Sequence, residues 1–188
     1  MSGWISREKA FELLKEKLAA DHMIKHSLAT EAIMRDLAAH FGEDADEWGI
    51  AGLLHDLDLE TVDDDPATHG KVTVQWLSEL GCPETTKQAI LAHNAEGLGV
   101  PRESRFDYAL TCGEQITGLI VATALVMPSK KLADVKAKSV KKRFKDKRFA
   151  AKVSRERIAE CEKIGFTLEE FIELSLAAMQ KTAEPLGM

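Results

Sequence analysis

The chain has 188 residues, of which 45% are hydrophobic and 30% charged, a balance that suits one folded domain and excludes a disordered or low-complexity chain. Three scattered cysteines, Cys82, Cys112 and Cys161, exclude a disulfide framework and point to a reducing, cytoplasmic setting, while the longest apolar run, Leu119 to Met127, is too short to span a bilayer. Net charge is −6, yet residues 128 to 157 carry 13 of the 25 basic side chains against only Asp134, Asp146 and Glu156.

Residues 6 to 20 read as a first helix, capped by Ser6, with Ala10, Phe11, Leu14 and Leu18 on one face. A second runs from 23 to Gly42; counting back along its apolar stripe from Ile33 puts His26 on the buried side, whereas His40 shares a solvated face with Asp36 and Glu43. A third helix is expected from Asp44 to Asp46 through Trp48, Ala51, Gly52 and His55 to the acidic segment Asp63 to Asp65 before Pro66. The stretch after Pro66 reads as a helix ending at Gly81, with His69, Val72, Trp76 and Leu80 on one face. Pro83 opens the next helix, in which Ala89 and Ile90 precede His93 at helical spacing, and the glycines and proline of 95 to 101 predict a loop. Residues 103 to 127 read as helix with a break near Cys112 and Gly113, and Glu114, Gly118, Val121 and Leu125 share a face. The basic stretch 129 to 152 suggests short helices and turns, and Ser154 and the capping-box pattern Thr167 to Glu170 open two last helices. No stretch alternates as a strand does, so the expected fold is all-α.

Four histidines and a glutamate on apolar faces of five helices are unusual, because a buried imidazole or carboxylate is costly unless it is paired or bound to a cation. A lone inward histidine is ordinarily a core residue bonded to backbone. The adjacent pair His55 and Asp56, inside IAGLLHDLD at 50 to 58, shifts the reading toward a metal site. Imidazole and carboxylate suit divalent Mn, Fe, Co, Ni or Zn, and the six groups His26, His55, Asp56, His69, His93 and Glu114 exceed what one tetrahedral Zn uses. Two ions bridged by Asp56 would use them all.

The segments KHSLATEAIMRDLA (25 to 38), WGIAGLLHDLDLE (48 to 60), DPATHG (65 to 70), ILAHN (90 to 94), the long run from ITGLI at 116 to Ala150, and the tail from Glu160 to Met179 together resemble the HD-domain metal-dependent phosphohydrolases, in particular their small stand-alone HDIG-type members. The resemblance covers nearly the whole chain. It implies a single-domain HD-type helical bundle, with a metal-binding core over about 20 to 127 and the basic segment and C-terminal helices over 128 to 188. By position, His26 is similar to the family's first histidine, His55 and Asp56 to its namesake pair, and His69 and His93 to the further histidines of binuclear members. Glu114 stands where members usually carry an aspartate, and its extra methylene moves the carboxylate by about one C–C bond. Asp107, seven residues earlier on roughly the same face, is an alternative ligand.

The implied chemistry is hydrolysis of a phosphate ester by metal-activated water, with one or two divalent ions and Asp56 and Asp58 as catalytic candidates. Asp58 either orients a ligand histidine or the water, or is a solvated helix-end carboxylate; Asn94 either supports a ligand or caps its helix. The basic segment is either a solvated face or a ridge whose Lys130, Lys131 or Arg143 holds an anionic substrate. A small phosphorylated metabolite or nucleotide fits as substrate better than nucleic acid, since the rest of the surface is acidic and lacks an aromatic platform. Self-association is left open. The resemblance extends to diiron oxygenases with the same six-ligand arrangement, and the Glu114 replacement keeps a non-catalytic, metal-binding regulatory module in view.

Overall fold

A computed structural model describes residues 4–188, in which eleven α-helices and two 3-10 turns account for the regular structure and no strand occurs among the described residues. The first three residues of the amino-terminal stretch lie outside the described residues. The helices are α1 (Arg7–Lys17), α2 (Asp21–Phe41), α3 (Ala45–Leu54), α4 (Lys71–Glu79), α5 (Glu84–His93), α6 (Ala95–Leu98), α7 (Arg105–Leu125), α8 (Ala137–Lys145), α9 (Arg155–Ala159), α10 (Leu168–Lys181) and α11 (Ala183–Leu186). Their ends follow local chemistry. Ser6 caps α1, Asp44 accepts from the N–H groups of Asp46 and Glu47 at the start of α3, and capping boxes open α7 (Ser104 with Asp107) and α10 (Thr167 with Glu170). Gly42 ends α2 in the left-handed conformation, at φ 73°. Helix α2 has no side-chain cap of its own, and Glu60 from a distant turn accepts the N–H groups of Ala19 and Ala20 instead.

Two 21-residue helices, α2 and α7, form the frame. Helix α3 lies along α2, α5 along α7, α10 closes over α2, and α8 and α9 pack on α7. One apolar cluster runs from Ala10 on α1 to Leu186 on α11, so the C-terminal helices share the core of the first 127 residues. Trp48 of α3 stacks on Phe106 of α7 with ring centroids 4.7 Å apart. Buried Glu31 accepts from Arg7 (2.7 and 2.9 Å) and Arg35 (2.9 Å), tying α1 to α2 and giving a carboxylate inside the core the partners it needs.

The basic segment is shaped from within. Arg155 is buried and lies within hydrogen-bond reach of six carbonyls, those of Arg143, Phe144, Asp146, Phe149, Ala150 and Val153, and so gathers residues 143 to 153 around one guanidinium.

Five expectations about elements are corrected. Helix α3 stops at Leu54 rather than at the acidic segment; residues 55 to 64 form successive turns, and Asp63 and Asp64 take left-handed φ values of 53° and 57° that no α-helix accommodates. Helix α4 begins at Lys71, so His69 sits in the turn before it, and the face that packs inward carries Thr73 and Leu77 while Leu80 is 45% exposed. Gly70, at φ 91°, makes the break between the turn and the helix. The stretch 95 to 101 contains the short helix α6, and α7 runs unbroken through Cys112 and Gly113. The expected Glu114 face of α7 is buried only at its start, Leu125 being 52% exposed.

Helices α2 and α3 approach closely at Gly52, where a Cβ would meet the Thr30 carbonyl oxygen and Met34 Cγ at 2.9 Å. Backbone cannot yield as a side chain can, so Gly52→Ala is expected to cost about 1–3 kcal/mol; an unchanged urea midpoint would show that α2 and α3 separate freely.

Candidate metal centre

Six side chains converge where α2, α5, α7 and the turns after α3 meet. His26 comes from α2, His55 from the C-cap of α3, Asp56 from the next residue, His69 from the turn before α4, His93 from the end of α5 and Glu114 from the middle of α7. They fall into two sets, His26, His55 and Glu114 in one and Asp56, His69 and His93 in the other, and within each set the potential ligand atoms lie within 4.8 Å of one another.

Asp56 joins the two sets. Its Oδ2 lies 3.4 Å from His26 Nε2 and 3.3 Å from His55 Nε2, while its Oδ1 lies 3.2 Å from His69 Nε2 and 3.4 Å from His93 Nε2. The Nε2 atoms of His26 and His55 are 3.2 Å apart, and those of His69 and His93 2.9 Å.

The other ring nitrogens fix the tautomers. His55 Nδ1 faces the Gly52 carbonyl at 2.9 Å, His93 Nδ1 the Ile90 carbonyl, and His69 Nδ1 the Asp58 carboxylate at 2.8 Å. His26 Nδ1 faces Thr117 Oγ1 at 2.9 Å, and that hydroxyl donates its hydrogen to the Glu114 carbonyl at 2.6 Å. Every Nδ1 therefore meets an acceptor and carries the proton, so that with all four rings neutral, four Nε2 lone pairs and two carboxylates turn toward one another. Acceptors packed this closely without donors repel, and divalent cations in the two sets remove the conflict. The donor set thus fits the ions that its residue types imply.

The electrostatics divide the four histidines. Burial pushes His26 down to about 4 and also lowers His93, whereas at His55 burial is outweighed by the Asp56 carboxylate and the shift is upward. Burial opposes charge on His69 as well, but its hydrogen bonds to Asp56 and Asp58 outweigh that and raise it to about 10. Glu114 is pushed up to about 7 by burial, with His55 pulling the other way. The additional proton on His69 would occupy Nε2, facing Asp56 Oδ1 at 3.2 Å, and a cation binding there would have to displace it.

Supporting residues surround the six. Asp58 is fully buried, which removes the solvated helix-end reading: one oxygen takes the His69 Nδ1–H, and the other takes the backbone N–H groups of Gly70 (2.8 Å) and Thr73 (2.9 Å). Asp58 therefore positions His69 and the start of α4. Asn94 donates to the carbonyls of Pro66 (2.8 Å) and His69 (3.0 Å), pinning the same turn from the α5 side, and Gly97 leaves it room, since a Cβ there would lie 2.3 Å from the Pro66 oxygen. Asp107 belongs to the α7 capping box, accepting from the N–H groups of Glu103 and Ser104, and is not among the six. Thr117 and Gln115, which donates to Glu114 at 2.7 Å, were not singled out from sequence; Thr117 lies one turn after Glu114 on a buried face, which is the signal that finds it.

No hydrogen bond or ion pair among the described residues joins Lys130, Lys131 or Arg143 to the six side chains. Helix α7 carries the chain from Glu114 to Leu125, about 16 Å at 1.5 Å per residue, before Lys130 and Lys131 appear as exposed side chains. Arg143 lies over the Phe149 ring at 4.6 Å.

Because Asp58 accepts three hydrogen bonds that an amide cannot reproduce, Asp58→Asn is expected to weaken metal binding by about 10- to 100-fold. Titration calorimetry with Mn and Zn checks this, with exposed His40→Ala as the control that leaves affinity unchanged; equal affinities in Asp58→Asn and the parent would remove the positioning role.

No helix among the described residues is long and apolar enough to cross a membrane. Comparison with curated proteins and with solved structures gave no match. The family model described as HD domain matches residues 23–123, just over half of the chain, and takes in all six converging side chains. Members of that family are in general metal-dependent hydrolases, and the pair at its heart, His55 and Asp56, sits at the meeting point of the two donor sets: this chain belongs to the HD-domain family.

Proposed function

We propose that the protein is a phosphohydrolase that cleaves the phosphate ester of a small metabolite or nucleotide with two divalent transition metal ions. The observation that carries this reading is the division of Asp56, each oxygen facing its own pair of Nε2 atoms, as a bridging carboxylate does. His26, His55 and Glu114 would hold one ion and His69 and His93 the other, with Asp56 available to both. When bound, such ions supply positive charge to the phosphoryl oxygens and lower the pKa of the attacking water.

The protein's own contribution is to hold donors in place. The Nδ1 hydrogen bonds fix four imidazole planes, Asp58 and Asn94 hold the His69 turn, and Thr117 couples His26 to α7. A cysteine nucleophile has no support, because all three cysteines are buried and burial raises Cys82 and Cys161 to about 12. Their free state fits a cytoplasmic protein. Imidazole and carboxylate donors without thiolate favour Mn, Fe, Co, Ni or Zn, and side-chain exposures of 21% at His26 and 11% at Asp56 leave a way in for a small substrate.

Chelator-stripped protein reloaded with each of these metals is expected to release phosphate from p-nitrophenyl phosphate, and His55→Ala or Asp56→Ala to lower the rate by at least about 100-fold. Iron-dependent oxygen uptake without phosphate release would move the reading to an oxygenase, and no bound metal in freshly purified protein together with no phosphatase activity on adding Mn to a non-catalytic module. In Glu114→Gln the metal content is expected to fall from two ions per chain to one. Elemental analysis reads this directly, and an unchanged content would take Glu114 out of the ligand set.

A further inference from the structure

The family match ends at residue 123, yet the chain beyond it returns to the metal centre. The Ser154 N–H donates to Gln115 Oε1 at 2.8 Å, across 39 positions of sequence, and Gln115 Nε2 donates to Glu114 Oε1 at 2.7 Å. A main-chain group outside the family match is thereby two hydrogen bonds from a candidate ligand.

The direction of this relay is fixed by chemistry. A backbone N–H can only donate, so it holds the oxygen of the Gln115 amide, and the amide nitrogen is left to face the carboxylate, which when ionised can only accept. Glu114 Oε1 is engaged in this way, whereas Oε2 has no hydrogen bond among the described residues and is left for an ion held with His26 and His55.

The donor at Ser154 is held from both sides. Val153 packs over α7 at Gly118, one turn after Glu114, so closely that a Cβ at Gly118 would lie 2.9 Å from Val153 Cγ2. Arg155 holds the carbonyls of Ala150 (3.0 Å) and Val153 (2.8 Å), and the Ser154 hydroxyl accepts the N–H of Arg157 as the cap of α9. Glu114 is the ligand that gains most from such support. A glutamate has one more rotatable bond than an aspartate, so its carboxylate, left unrestrained, loses more freedom on binding a cation.

We propose that Ser154 and Gln115 form a positioning relay that presents Glu114 through one oxygen, so that chain beyond the family match sets the affinity of the ion held by His26, His55 and Glu114; this rests on Glu114 being a ligand. Gln115 and Ser154 are positioning residues and touch no ion.

Calorimetric titration of the chelator-stripped full chain with Mn and Zn tests the relay, the ion held by His69 and His93 serving as internal reference. Gln115→Leu, close in volume but without the amide, is expected to weaken by about 10- to 100-fold the ion that Glu114→Gln loses, and to leave the other unchanged. Ser154 separates the N–H from the side chain. At φ −74° its backbone already suits proline, so Ser154→Pro deletes the donor and is expected to weaken the same ion. Ser154→Ala keeps the donor but loses the α9 cap; it is expected to lower the melting temperature of the metal-free protein and to leave both affinities unchanged. Gln115→Leu combined with Ser154→Pro is expected to weaken the ion no further than Gln115→Leu alone, because both break one relay, whereas two independent structural losses would add. Should Ser154→Pro fail to fold, Gln115→Leu decides alone. Unchanged affinities in Gln115→Leu, an equal loss at both ions, or a loss in Ser154→Ala matching that in Ser154→Pro overturns the relay. If Glu114→Gln loses an ion and Gln115→Leu weakens none, the relay alone fails. If Glu114→Gln retains both ions, or the parent takes up neither metal, the ligand reading of Glu114 fails and the relay with it.

Discussion

Six acceptors directed at one another form the constraint on which the rest of the structure depends. Four Nε2 lone pairs and two carboxylates inside a folded core are unfavourable company, and the surrounding fold is arranged to hold them there. Two of the four Nδ1 atoms are tied to backbone carbonyls of the ligand's own helical turn, those of Gly52 and Ile90. The other two are tied to side chains, Asp58 and Thr117, which are themselves fixed by backbone groups. Rigidity in the outer layer is what lets the inner one stay frustrated without a cation and ready for one.

Helical spacing made His26, His93 and Glu114 legible in the sequence, because each lies within a regular helix whose apolar stripe points to the same core. His69 was legible for a different reason. The stripe through Val72, Trp76 and Leu80 is not the buried one, and the residue reaches the centre through the turn that Asp58, Gly70 and Asn94 build. Periodicity has no means of reporting a turn of that kind, since its geometry is set by hydrogen bonds between residues 11 to 25 positions apart. Helical spacing singled out His69 on a stripe that is not the buried one, and the family resemblance named the same residue.

The basic segment marks the opposite limit. A run of lysines in sequence suggests an anion site but carries no distance information, and here α7 takes the chain away from the centre before most of them occur. The chain meets α7 again at Ser154, whose N–H reaches Gln115 beside Glu114, once residues 143 to 153 have folded around Arg155. The departure at position 114 was legible as a substitution, and its outcome was not: the glutamate's reach depends on where α7 lies relative to α2, and the helix places its carboxylate with His26 and His55.

Arg155 also separates form from surface. The six carbonyls that surround it belong to the main chain, so the path of residues 143 to 153 is specified without reference to the side chains they present. The lysines there can be exchanged, lost or reversed in sign over evolutionary time with little consequence for the backbone beneath them, whereas Arg155 itself cannot. The segment is a fixed loop with an interchangeable exterior, and selection can retune what it attracts without redesigning how it folds.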